Sequence, residues 1–70
     1  MNNKEIYNRL IQCAETEIDD WKKCDKLTPI EQNIRYCPVV SGIARAALFL
    51  LPTEDYSRFK EEITKMGAII

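Results

Sequence analysis

The chain has 70 residues, 46% hydrophobic and 30% charged, with a formal net charge of −1. That length makes a single small domain, residues 1–70, and the composition excludes a disordered tail or a low-complexity chain. The near-balanced charge argues against a protein built to grip a phosphate backbone. The lack of any histidine removes the commonest general base and metal ligand. With two glycines and three prolines, the chain also has little material for a turn-rich all-β fold.

From about Asn3 to Cys24, apolar residues recur at Ile6, Tyr7, Leu10, Ile11, Cys13, Ala14, Ile18 and Trp21. This is the i, i+3, i+4, i+7 spacing of one helix face. Asn2 or Asn3 is suited to cap the start, since a short side-chain oxygen accepts a first-turn N–H. Lys22 and Lys23 suit the negative end of the helix dipole. The segment is predicted to be a long amphipathic helix.

After the connector Asp25-Lys26-Leu27 comes Thr28-Pro29-Ile30-Glu31. Threonine followed three residues later by glutamate is a capping box, and proline at the first helical position has no N–H left unpaired. A short second helix is therefore expected from Pro29, carrying Ile30, Ile34 and Cys37 along one side. Pro38 is expected to end or kink it, with an end at Tyr36 or Cys37 the preferred reading, because proline removes a backbone donor and biases the preceding residue away from the α region.

A third helix is expected from Pro38 to Leu51. Arg45 is the only charge in this stretch, and a helix apolar all round belongs in the centre of a bundle or in an oligomer. It is too short to span a membrane, which takes about 20 apolar residues. Ser41, Gly42, Ala44, Ala46 and Ala47 are small enough to let neighbouring backbones come close. Pro52 stops the helix, and Thr53 is expected to cap a fourth, Glu54 to Met66, with acids in its first turn. Its apolar stripe is Tyr56, Phe59, Ile63 and Met66. Glu54–Arg58 and Glu61–Lys65 have the spacing of stabilising pairs. Gly67 fits the residue just beyond a helix end, leaving Ala68-Ile69-Ile70 either to pack back onto the bundle or to mark an artificially cut chain.

The predicted fold is thus all-α, a small four-helix bundle. At this size burial barely offsets ordering, and the neighbouring helices cannot fully cover the apolar third one. A homodimer or docking on a protein partner is expected.

Few constellations carry chemistry. Cys13, Cys24 and Cys37 are an odd number without close C-x-x-C pairing, so neither a disulfide framework nor a zinc site is expected. Buried, reduced thiols acting as small hydrophobes are the expectation. With no secretory h-region after Met1, the expected location is cytoplasmic. Glu15, Glu17, Asp19 and Asp20 crowd two turns, but 100° per residue scatters them, so they read as a solvated face rather than a cation site. No cofactor and no metal are expected. With no base to activate a cysteine, the chain reads as non-enzymatic.

Glu17 lies within the apolar stripe of the first helix, and Arg45 is the lone charge of the third. Because a buried charge is costly unless paired, they are expected either to pair with each other or to leave Arg45 for an acidic group on a partner. Among the aromatics, Trp21 and Tyr56 read as core. Tyr36, beside the expected break at Pro38, reads as outward-facing. The candidate interaction residues are therefore Arg45, Trp21, Tyr36, Phe49 and Glu17.

The functional expectation is a non-catalytic protein-interaction module. By its size it resembles accessory or inhibitory proteins such as those of phage and mobile elements, acting by binding a larger protein. The alternative is a helix-turn-helix DNA-binding regulator, with Leu50-Leu51-Pro52-Thr53 as the turn and Glu54–Met66 as the reading helix. Glu54 and Asp55 at the start of that helix would repel phosphates, and Arg58, Lys60 and Lys65 are offset by Glu61 and Glu62. Nucleic acid is therefore an unfavoured partner.

Overall fold

The computed structural model describes residues 1–68 of the chain. All regular structure among them is helical: α1 Asn3–Lys23, α2 Pro29–Leu50 and α3 Thr53–Lys65. The architecture is all-α with three helices rather than the expected four. Each helix packs against both of the others, in a body of 38 × 18 × 16 Å.

The start of α1 is the expected one: Asn2 caps it, its side-chain oxygen accepting from the Glu5 N–H at 2.9 Å. The capping box at α2 is complete. Thr28 Oγ accepts from the Glu31 N–H at 3.2 Å, and the Glu31 carboxylate accepts from the Thr28 N–H at 3.1 Å. That backbone N–H, with the threonine hydroxyl, holds Glu31 below the ordinary carboxylate range. Between α1 and α2 the connector is pinned by Gln32. Its side-chain amide donates to the Cys24 carbonyl at 2.9 Å and the Leu27 carbonyl at 3.0 Å.

The missing fourth helix is explained by Pro38, which lies inside α2 and does not end it. Proline in a helix interior removes one ladder bond and costs about 3 kcal/mol. Here burial outweighs that local cost. Tyr36, Val40, Ala44 and Ala47 are buried on one face of α2, a row that crosses the proline without changing register. Breaking the helix at Pro38 would swing one half of the row off the core, whereas Pro38 itself is exposed on the far side of the helix from that row.

At α3 the cap differs from expectation by one residue. Pro52 occupies the N-cap, no side chain caps the helix, and Thr53 is already helical. The far end behaves as Gly67 suggested. Gly67 has φ 109°, a conformation that disfavours a side chain. Its N–H reaches the Thr64 carbonyl at 3.0 Å and the Ala68 N–H reaches the Ile63 carbonyl at 3.0 Å, the paired bonds of a Schellman end. Ala68 is thereby folded back and buried against the core. The rest of the C-terminal expectation, Ile69 and Ile70, lies outside the described residues.

The core joins Tyr7, Ala14 and Ile18 of α1 to the inward row of α2 and to Phe59 and Ile63 of α3. Its largest fully buried side chains are Phe59, Ile63 and Val40, so alanines fill much of the rest and keep the helices close. The α3 stripe is as expected, with Tyr56 and Met66 packed at its margins. The cysteines are not the buried thiols expected. Cys13 is exposed, while Cys24 and Cys37 are half-buried. Arg58 also departs from expectation, pairing with Asp55 at 3.6 Å rather than with Glu54; among the described residues Glu61–Lys65 forms no ion pair.

Candidate interaction surface

The candidate residues divide among three places. Trp21 and Tyr36 form an internal strut between α1 and α2. Their rings stack with centroids 5.7 Å apart and planes 15° apart, and the Tyr36 hydroxyl donates to Asp20 Oδ2 at 2.7 Å. Tyr36 is buried, which corrects the expectation that it faces outward. Because α2 continues through Pro38, Tyr36 keeps helical register with Val40 and points at α1. Donation to Asp20, with burial second, pushes its hydroxyl above a tyrosine's ordinary value.

A matching aromatic contact closes the opposite end of the bundle. Tyr7 meets Phe59 edge-on at 6.1 Å, with the Arg58 guanidinium 4.5 Å above the Tyr7 ring. The Tyr7 hydroxyl is enclosed beside Arg58 and Glu62 but meets neither at hydrogen-bond geometry. Burial pushes it above the ordinary range, with Glu62 reinforcing and Arg58 opposing.

Glu17 and Arg45 lie in different grooves. Glu17 is half-buried in a groove between α1 and α2, beside Cys13, Val39 and Ile43. Arg45 is exposed on the other flank of α2, in a groove shared with Tyr56 and Lys60 of α3. The ion pairs among the described residues, Lys23–Asp19 and Arg58–Asp55, include neither of them. The expected Glu17–Arg45 bridge is therefore not part of this fold. Of the crowded acids on α1, Glu15, Asp19 and Asp20 are exposed. Among the described residues no group of His, Cys, Asp or Glu side chains is placed to hold a metal ion.

Phe49, the remaining candidate, is 79% exposed at the end of α2. It is not isolated: Ile30 is 75%, Ile34 70%, Leu50 55% and Leu48 52% exposed on the same helix. Ile34, Pro38, Arg45 and Phe49 fall within a quarter turn or so of one another on a 3.6-residue helix, opposite the buried row. Sequence reasoning missed Ile30 and Ile34 as surface residues, although their side was legible. They lie on a different face from Tyr36 and Val40 once the helix is read as continuous. Between Glu31 and Glu54 the chain has two arginines, Arg35 and Arg45, and no acid, so beyond its first turn α2 is apolar with a basic tint.

No helix among the described residues is long and apolar enough to cross a membrane. The chain matches no protein-family model, and no curated protein or solved structure matches it significantly.

Proposed function

We propose that this chain is a non-catalytic protein-interaction module that docks the outward side of α2 on a larger protein, in the manner of an accessory or inhibitory protein. The observation that carries the reading is the distribution of apolar side chains along α2. Phe49, Ile34 and Ile30 are at least 70% exposed on an ordered helix whose other face is fully packed. Several large apolar side chains left in water along one helix point to an interaction site, and aromatic anchors such as Phe49 are typical centres of binding energy. The acidic first turn of α3, Glu54 and Asp55, favours a protein over a DNA duplex, because a reading helix meets phosphates at its N-terminal end.

The test is site-specific photocrosslinking in the native host. A benzophenone amino acid replaces Phe49 in one chain and the exposed Asn8 of α1 in another. The expected result is one discrete adduct from position 49 and none from position 8, identified by mass spectrometry. With the crosslinker at Leu48 instead, Phe49→Glu should abolish the adduct while circular dichroism stays unchanged. Equal labelling from positions 49 and 8, or none from either, overturns the reading.

A further inference from the structure

Resting on that reading, we infer that the occupant of the outward face of α2 is an amphipathic helix of a partner protein that presents a carboxylate to Arg45 and Lys60. The face has the geometry of a helix-pairing seam. Ile34, Pro38, Ser41, Arg45 and Leu48 follow one another at steps of four, three, four and three residues, and all are exposed. That alternation is the spacing by which one helix packs along another. From Ile34 to Leu48 it runs about 21 Å, roughly four helical turns. On the flank of the seam away from α3, Gly42 adds no side chain, and a Cβ there would meet nothing within 4 Å.

The charge requirement comes from the groove beside the seam. Ser41, Ala44, Arg45 and Leu48 of α2, with Tyr56 and Lys60 of α3, line a cleft of about 220 Å³. Its lining holds two cations and two hydroxyls but no carboxylate. Neither Arg45 nor Lys60 takes part in an ion pair among the described residues. Covering this cleft strips water from both cations, which is unfavourable unless the covering surface brings a counter-charge. A purely apolar helix fails that condition. A second copy that set this cleft directly against itself would fail it too, because a two-fold contact centred there brings the two cations of each chain together. A partner helix with leucine-like residues on the seam and glutamate or aspartate beside it satisfies both demands, and the single charge sets its register.

The test uses three synthetic helical peptides of about 15 residues, matching the length of the seam. They share a leucine face and differ only in carrying glutamate, glutamine or lysine beside it. Each is titrated into the ¹⁵N-labelled full chain and followed by amide shifts and by fluorescence anisotropy. The expected result is that the glutamate peptide binds about tenfold tighter than the glutamine one and the lysine peptide weakest. Shifts should be confined to Ile34–Phe49 and Tyr56–Lys60. In the Arg45→Glu, Lys60→Glu double variant the order should reverse, with the lysine peptide now tightest. Both side chains are exposed, so circular dichroism should show an unchanged fold.

Equal affinity for the three peptides overturns the inference, as does an order that the double variant leaves unaltered. So does a wild-type dimer in sedimentation equilibrium that Phe49→Glu dissolves, or salt-sensitive duplex DNA binding that the double variant abolishes. If the double variant still crosslinks through position 49 in the host, the charge assignment falls and the interaction module stands. Absence of any crosslink at position 49 overturns both.

Discussion

The two sides of α2 differ in what their side chains are for. Inward, Tyr36, Val40, Ala44 and Ala47 are buried among the other helices, and two of these four are alanines. Outward, Ile34, Leu48 and Phe49 are larger than Val40 and the alanines yet remain mostly in water. The usual arrangement puts the large apolar residues inside and leaves the surface polar. From Val40 onward the residues facing the core are small, while Leu48 and Phe49 lie on a side that the other two helices leave mostly uncovered. The outward residues therefore contribute little to the folded monomer's own burial. High apolar content along a helix measures what it can bury, and only the number of neighbours decides what it does bury.

The widest contrast is between two phenylalanines. Phe59 is fully buried and Phe49 is 79% exposed. Phe59→Ala should cost about 3–5 kcal/mol, a large share of the total for a 70-residue domain. Phe49→Ala should stay within about 0.5 kcal/mol. Urea denaturation of the two variants measures both, and comparable losses would break the contrast between the faces. Next in size is Pro38→Ala. It restores a donor to the Ile34 carbonyl on the outward side without disturbing the buried row, and should stabilise the chain by roughly 1–3 kcal/mol. A loss of stability would mean that the proline ring contributes packing of its own.

Smaller effects sharpen the inward side. The enclosed Tyr7 hydroxyl has no hydrogen-bond partner, so Tyr7→Phe should gain up to about 1 kcal/mol by removing a desolvated polar group. A measurable loss would show instead that the hydroxyl is satisfied. The smallest effect is one of pH. Tyr7 and Tyr36 are both held above the ordinary tyrosine value of 10.0. In the folded state each stays neutral where the unfolded chain has begun to ionise. Their stabilisation is complete below about pH 10 and is lost as pH rises through and beyond it. Thermal midpoints taken from pH 8 to 11 should fall, and fall less in Tyr36→Phe. Lys23, raised by its pairing with Asp19, contributes loss in the same direction, so the difference between variant and wild type is the informative quantity. Identical slopes would remove Tyr36 from the account.

The local features of the chain were legible because they depend on neighbours in sequence. Asn2, the Thr28–Glu31 box and Gly67 each satisfy a terminal backbone group within a few residues, and each does so in the structure. The Thr53 cap failed by one position, since Pro52 can hold the N-cap geometry by its own φ. The misreadings of wider consequence share one cause. Local cost alone makes Pro38 a boundary, and a break there leaves Tyr36 facing outward. The continuous inward row outweighs that cost and turns Tyr36 onto Trp21 and Asp20.

The proposed surface was legible in part for the same reason. Phe49 and Arg45 stand out in sequence, one as a large aromatic and the other as a lone charge in an apolar stretch. Ile30 and Ile34 were read as one side of a short separate helix, so they could not be joined to that face. Glu17 appeared suited to Arg45 because both are charges in apolar surroundings, but helical register sends them to opposite flanks of α2. By itself the sequence determined an all-helical chain, the start of α1, the capping box of α2 and the end of α3, since those depend on short-range hydrogen bonding and periodicity. Tertiary structure alone decided that α2 is one helix and which of its apolar sides is buried. Those outcomes rest on burial among residues far apart in the chain, which outweighs a local penalty that sequence reasoning can see but cannot weigh.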